Sequence, residues 1–170
     1  MNRVFIICSK HNSLSFFIIS VYYIADFEKS DNSRRGEVMR IYEIGILGCG
    51  VISRTYIPDI QKFFPQLHVR ACADVEISFA QKLAKEFGVE KACTVEELLA
   101  DEKIDIIINL TPPQFHVDLN KKIILAGKHV FTEKPFAPNV EQAKEVIDLA
   151  KEKGVMIGCA PDTFLASGLQ

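Results

Sequence analysis

The run Gly45-Ile46-Leu47-Gly48-Cys49-Gly50-Val51-Ile52-Ser53 places Gly48 and Gly50, two residues apart, between an apolar stretch and a segment of helical character. What such residues offer is bare backbone. Gly48 permits a tight turn, and Gly50 lets the main chain approach a ligand with no Cβ in the way. Ser53 takes the third place of a G-x-G-x-x-G pattern and is small enough for a helix to pack close against a strand. Backbone N–H groups at the start of that helix, around Val51 and Ile52, are then free to meet the charge of a phosphate. Asp74 follows Gly50 by 24 residues, at the end of the next apolar stretch. An acidic residue there accepts hydrogen bonds from the hydroxyls of an adenosine ribose and sets its charge against a 2′-phosphate, so the pattern favours NAD over NADP. The plainer reading is an ordinary turn followed by a loop carboxylate.

Two further clusters stand downstream: Asn109-Leu110-Thr111-Pro112-Pro113-Gln114-Phe115-His116 and Glu133-Lys134-Pro135. Taken alone, Lys134 before a proline reads as a solvated loop lysine. Arg54 either touches phosphate or is a solvated first-turn arginine. His116 sits in the first turns of a predicted helix, where it could also simply pack or cap. His68 and His129 open strands and read as structural.

The elements that must position these groups alternate regularly from residue 41 onward. Strand-length apolar runs cover 41–47, 67–73, 104–110, 129–132 and 155–159, and Ile104, Ile106, Ile107 and Ile108 suit a parallel strand buried on both faces. Between them, Ala80, Leu83, Ala84 and Phe87 have helical spacing before Gly88, and Val140, Ala143, Ile147 and Ala150 repeat it before Gly154. Thr94-Val-Glu-Glu97 and Thr111-Pro-Pro-Gln114 both read as capping boxes, the second with proline at the first helical position, and Asn139 reads as an N-cap. This order predicts an α/β fold, a doubly wound parallel sheet of the Rossmann dinucleotide-binding type.

The bulk composition agrees with a globular domain. Of 170 residues, 48% are hydrophobic and 25% charged, and a net charge of -2 with no basic stripe argues against nucleic acid as a partner. Five cysteines, odd in number and without C-x-x-C spacing, argue against a disulfide framework or a zinc site and point to reduced thiols in a cytoplasmic protein. Residues 1–38 read differently. Their longer apolar run falls short of the ~20 residues needed to span a bilayer, and no signal peptide is well formed. They are expected to be an extraneous or flexible segment ahead of a start at Met39, since Gly36-Glu37-Val38-Met39 can be encoded by a purine-rich, ribosome-binding-like run. The dinucleotide-binding domain is expected over 39–160.

With the glycine turn, the Thr111-Pro112-Pro113 to His116 segment and Glu133-Lys134-Pro135 in this order, the chain resembles the Gfo/Idh/MocA family, the relatives of glucose–fructose oxidoreductase and inositol dehydrogenase. The likeness covers about 41–170, the extent of the family's N-terminal domain. It implies an NAD-dependent oxidoreductase that passes a hydride between nicotinamide and a sugar, cyclitol or related hydroxy compound. Glu133 would lie near the nicotinamide ribose. Lys134 would contact cofactor and substrate and assist proton transfer at the substrate hydroxyl. Thr111 and Pro112 would line the nicotinamide end, with His116 close by. An amine beside a bound nicotinamide is suited to acid–base work.

The family's second, α+β domain, with its substrate contacts and oligomer interface, is expected to be missing, and 161–170 resemble the connection to it. On this reading the chain alone binds the dinucleotide but turns over poorly, and homo-oligomers form only with the second domain. A non-catalytic NAD-binding regulatory module and an NAD-dependent glycosidase-type relative are the alternatives; the intact Lys134 favours the enzyme.

Overall fold

A computed structural model describes residues 40–160. The expectations for 1–38, for a start at Met39 and for 161–170 lie outside the described residues. Six strands form one parallel sheet: β1 Tyr42–Leu47, β2 Leu67–Ala73, β3 Lys91–Cys93, β4 Ile106–Asn109, β5 His129–Thr132 and β6 Ile157–Cys159. Five α-helices connect them: α1 Ser53–Phe63, α2 Ile77–Phe87, α3 Val95–Ala100, α4 His116–Leu125 and α5 Val140–Lys153, with a 3-10 turn Pro113–Phe115 leading into α4. The strand order is β3-β2-β1-β4-β5-β6. The chain winds outward from β1 in one direction and then from β4 in the other. That reversal is what makes the sheet doubly wound and opens a crevice at the carboxyl ends of β1 and β4.

The isoleucine run explains why the sheet needs helices on both faces. Successive side chains of a strand point to opposite sides. Accordingly Ile106 and Ile108 join one apolar cluster, with Ile44, Ile57, Ile60, Phe64, Leu83 and Phe131, whereas Ile107 joins another, with Leu98, Ile123, Ile124, Val130, Val146 and Ala150. The first cluster is roofed by α1 and α2 and the second by α3, α4 and α5. All three isoleucines are fully buried.

Local signals set the helix ends. Thr94 forms the predicted capping box, its side chain accepting from Glu97 N while the Glu97 carboxylate accepts from Thr94 N. Asn139 accepts from Gln142 N at 2.8 Å. Helices α2 and α5 stop at Gly88 and Gly154. Thr94→Ala should lower stability by about 1 kcal/mol, read from urea denaturation of the domain; an unchanged midpoint would mean that α3 is held by its packing alone.

Three expectations need correction. The described residues hold a sixth strand, β3, three residues long and at the sheet edge, too short to show a periodicity. In α5 the buried positions are Val146 and Ala150, and Val140 is exposed, because Asn139 caps the helix and leaves Val140 in a first turn with no neighbour to cover it. Thr111 caps no helix: its hydroxyl donates to Asn109 Oδ1 at 2.6 Å, and the 3-10 turn begins after Pro112 with no side-chain cap.

Candidate functional site

Because all six strands run the same way, the segments that follow β1, β2, β4 and β5 emerge on one edge of the sheet. These are the four segments singled out above: the glycine turn, Asp74, Thr111-Pro112 and Glu133-Lys134-Pro135.

The glycine turn is built by close approach. Gly48 has φ +98°, and a Cβ there would stand 2.8 Å from the Leu110 carbonyl carbon and from Thr111 N. At Gly50 a Cβ would meet no protein atom within 4 Å. The first glycine therefore serves the protein's own packing, and the second faces open space. The turn is locked from within: Gly48 N donates to Ala73 O at 2.9 Å, and Ser53, fully buried, donates through its hydroxyl to Gly50 O at 2.6 Å. Helix α1 begins at Ser53, and its N-cap, Ile52, offers no side-chain acceptor. The start of α1, where Arg54 N and Thr55 N turn back to Val51 O and Ile52 O, stands beside the space in front of Gly50, an arrangement suited to a phosphate. Val51 and Ile52 lie on the exposed lip of that space.

Asp74 does two things at the end of β2. Its Oδ2 accepts from Cys49 N at 2.8 Å and its Oδ1 from Glu76 N at 3.1 Å. The carboxylate is thereby pinned to the glycine turn, and each oxygen retains a lone pair for a further donor. Arg54 is not aimed at the turn; its guanidinium pairs with Glu86 of α2. Cys49 adds no chemistry. Its contact with the Cys72 side chain and its burial push the thiol far up, so it stays protonated. The four described cysteines are all free thiols.

The other half of the edge is organised by buried polar groups. Asn109 closes β4. Its amide donates to Asn120 Oδ1 at 2.8 Å, its side-chain oxygen accepts from Thr111 N and from the Thr111 hydroxyl, and its backbone oxygen accepts from Glu133 N at 2.9 Å. His116 is 0% exposed. Its Nδ1 lies 2.8 Å from Pro135 O and its Nε2 2.7 Å from Thr111 O. The ring staples the loop after β4 to the loop after β5, beneath the segments expected to line the nicotinamide end.

Glu133 stands half-buried over this floor, and Lys134 beside it is exposed. The Lys134–Pro135 peptide is cis. One Glu133 oxygen accepts from Lys134 N at 3.0 Å and the other from the Tyr56 hydroxyl at 2.6 Å. Sequence reasoning missed Tyr56; its place three residues after Ser53, on the same face of α1, is the signal that would have found it. Burial and the Glu133 charge push the Tyr56 phenol far up, so it acts as a donor. Cys159, behind Glu133, is pushed up to about 12 by burial and by that carboxylate. The two histidines read as structural are so: His68 pairs with Glu43 at 2.8 Å at the opposite edge, and His129 accepts from Met156 N at 3.0 Å. Among the described residues no three or more His, Cys, Asp or Glu side chains are grouped to hold a metal, and no helix is long and apolar enough to cross a membrane.

The edge therefore offers a phosphate cradle, a carboxylate at the end of β2 and an exposed amine beside a fixed carboxylate at the end of β5. The space before Gly50 and the uncapped start of α1 fit a dinucleotide laid across the strand ends. Comparisons with known proteins agree. Residues 42–160 match the family described as "Oxidoreductase family, NAD-binding Rossmann fold" (GFO_IDH_MocA). The chain is 41% identical over 76 residues to 1,5-anhydro-D-fructose reductase of Ensifer adhaerens, covering 44% of this chain and 23% of that protein. Among solved structures, KijD10, a 3-ketoreductase from Actinomadura kijaniata in complex with NADP and TDP-benzene, superposes with a TM-score of 0.67 at 26% identity, covering 71% of this chain and 37% of that one. GenD2, from gentamicin A biosynthesis and in complex with NAD, gives a TM-score of 0.67 at 25% identity, covering 76% and 37%. The chain spans about a third of the length of the curated relatives it matches (31% and 35% for two of them).

Proposed function

Since the chain belongs to the Gfo/Idh/MocA oxidoreductase family, with its NAD(P)-binding Rossmann fold, we propose that it is the cofactor-binding part of an NAD-dependent oxidoreductase acting on a sugar, cyclitol or related hydroxy compound. The observation that carries this reading is the alignment of the Gly48–Gly50 cradle, Asp74 and the Glu133-Lys134-Pro135 loop along one sheet edge. A bound nicotinamide would supply the hydride acceptor or donor.

The chain's own residues do the rest. Gly50, Val51 and Ile52 present backbone N–H groups to the pyrophosphate. Asp74 accepts from the adenosine ribose. Its neighbours Val75 and Glu76 bring no cation that could offset a 2′-phosphate, which supports NAD over NADP. Thr111 and Pro112 flank the nicotinamide end, Glu133 accepts from the nicotinamide ribose, and His116 holds their loops from below. Lys134, exposed, reaches the substrate hydroxyl and moves its proton. The name of 1,5-anhydro-D-fructose reductase and the description of KijD10 as a 3-ketoreductase support a carbonyl or hydroxyl carbon as the reacting centre.

Fluorescence titration of the chain with NADH and NADPH tests the reading. NADH should bind at least about tenfold more tightly, the effect of one unfavourable charge contact on the 2′-phosphate. Equal affinities would remove Asp74 from the proposed role, and no binding of either would remove the function. A polypeptide of these 170 residues spans about a third of the length of its curated relatives, so its turnover of a polyol panel should be slow or undetectable if the remaining length of such relatives positions the substrate carbon, an effect worth ~7–11 kcal/mol in favourable cases.

A further inference from the structure

The hydroxyl of Tyr56 and the carboxylate of Glu133 come from opposite ends of the crevice. Tyr56 belongs to α1, the helix that opens at the glycine turn. Glu133 belongs to the loop after β5. Between α1 and that loop the structure places a 2.6 Å hydrogen bond from Tyr56 Oη to Glu133 Oε1. The ring of Tyr56 packs on the apolar cluster below and lies 6.4 Å from the Phe131 ring centroid. Its position is therefore set by the core and not by Glu133. Glu133 Oε2 is held by the backbone N–H of Lys134. With one donor on each oxygen, the plane of the carboxylate is fixed, and the lone pairs that remain point in defined directions.

We infer that Tyr56 is a positioning residue for the cofactor: it holds Glu133 in the one orientation in which its free lone pairs meet the nicotinamide ribose, and so joins the phosphate end of the site to the nicotinamide end. The inference rests on the reading of Glu133 as the ribose acceptor. A hydrogen bond to an ionised carboxylate is among the stronger ones a side chain can make. The phenol also remains a donor across the working pH range, because burial and the neighbouring charge both oppose its ionisation.

Tyr56→Phe removes the hydroxyl and keeps the ring on Phe131, so the variant should still fold cooperatively, with a thermal midpoint lowered by a few degrees. NADH should then bind about tenfold more weakly, the scale of one lost charge-assisted contact. ADP, which carries the adenosine and pyrophosphate but no nicotinamide ribose, should bind as it does to the parent. In a Glu133→Ala background the same replacement should have no further effect on NADH. Loss of ADP and NADH affinity in equal measure would overturn the inference and make Tyr56 a packing residue of α1. An unchanged NADH affinity in Tyr56→Phe, with Glu133→Ala weakened, would overturn it while leaving Glu133 in its role. Unchanged NADH affinity in Glu133→Ala would overturn the ribose reading and this inference together.

Discussion

Gly48→Ala should destabilise the domain by about 3 kcal/mol or more and abolish NADH binding, whereas Gly50→Ala should fold like the parent and lose only the ligand. The two glycines are two residues apart and look alike in sequence. Their surroundings differ. At Gly48 the backbone sits at φ +98°, where an L-residue pays ~1–2 kcal/mol, and the added carbon would press on backbone atoms of Leu110 and Thr111 at 2.8 Å. Backbone cannot rotate away as a side chain tip can, so β1 and β4 would have to part at their ends. The sum reaches or passes the upper end of what single substitutions ordinarily cost, ~3 kcal/mol. At Gly50 the carbon enters empty space, and that space is where the phosphate is proposed to lie. Thermal melts with and without NADH separate the cases. A Gly50→Ala chain that binds NADH normally would remove the phosphate from this turn.

His116→Leu should cost about 1–3 kcal/mol, the scale of one buried hydrogen bond left unmatched. Leucine fills a similar apolar volume but makes no hydrogen bond, so the ring's contacts with Thr111 O at 2.7 Å and Pro135 O at 2.8 Å are lost. The loss has a functional face as well, because the staple holds Thr111 and the Glu133-Lys134-Pro135 loop at one spacing. NADH affinity should fall along with stability, while ADP affinity, which depends on the glycine turn, should fall less. Urea denaturation and the two titrations are the measurements. A variant within about 0.5 kcal/mol of the parent, in the range of an ordinary surface change, would make the ring a space-filler.

The fold could be read from the chain because its signals are local and repeated. The isoleucine run, the Thr94 capping box, the Asn139 cap and the glycines after α2 and α5 each act within a few residues of where they stand. The glycine turn was legible for the same reason, and so was Asp74 as the residue that follows β2. What was not legible depends on partners distant in sequence. The hydrogen bond that pins Asp74 to Cys49 spans 25 residues, and the one from Tyr56 to Glu133 spans 77. Thr111 was misread as a helix cap because the competing acceptor, Asn109 Oδ1, becomes available only once Asn109 is buried against Asn120. His116 looked equally suited to cofactor or core; the two carbonyls that its ring meets stand 5 and 19 residues away. Edge strand β3 shows a different limit: three residues are too few for any period.

The strand order has a consequence in time. Neighbouring strands of this sheet pair at sequence separations of 20 to 27 residues (Ala71 with Lys91, Ile106 with His129, Tyr42 with Leu67, Val130 with Ile157), except at the centre, where Ile44 meets Ile106 across 62. Closing the longer loop carries the larger entropic cost, and contacts of that kind slow folding. The two halves of the chain can therefore each zip by short-range closures, while the central seam waits for them to meet. Gly48 packs on Leu110 and Thr111 across that seam. The cradle is thus expected to form with that last pairing, and NADH binding followed during refolding should report the moment at which the two halves become one sheet.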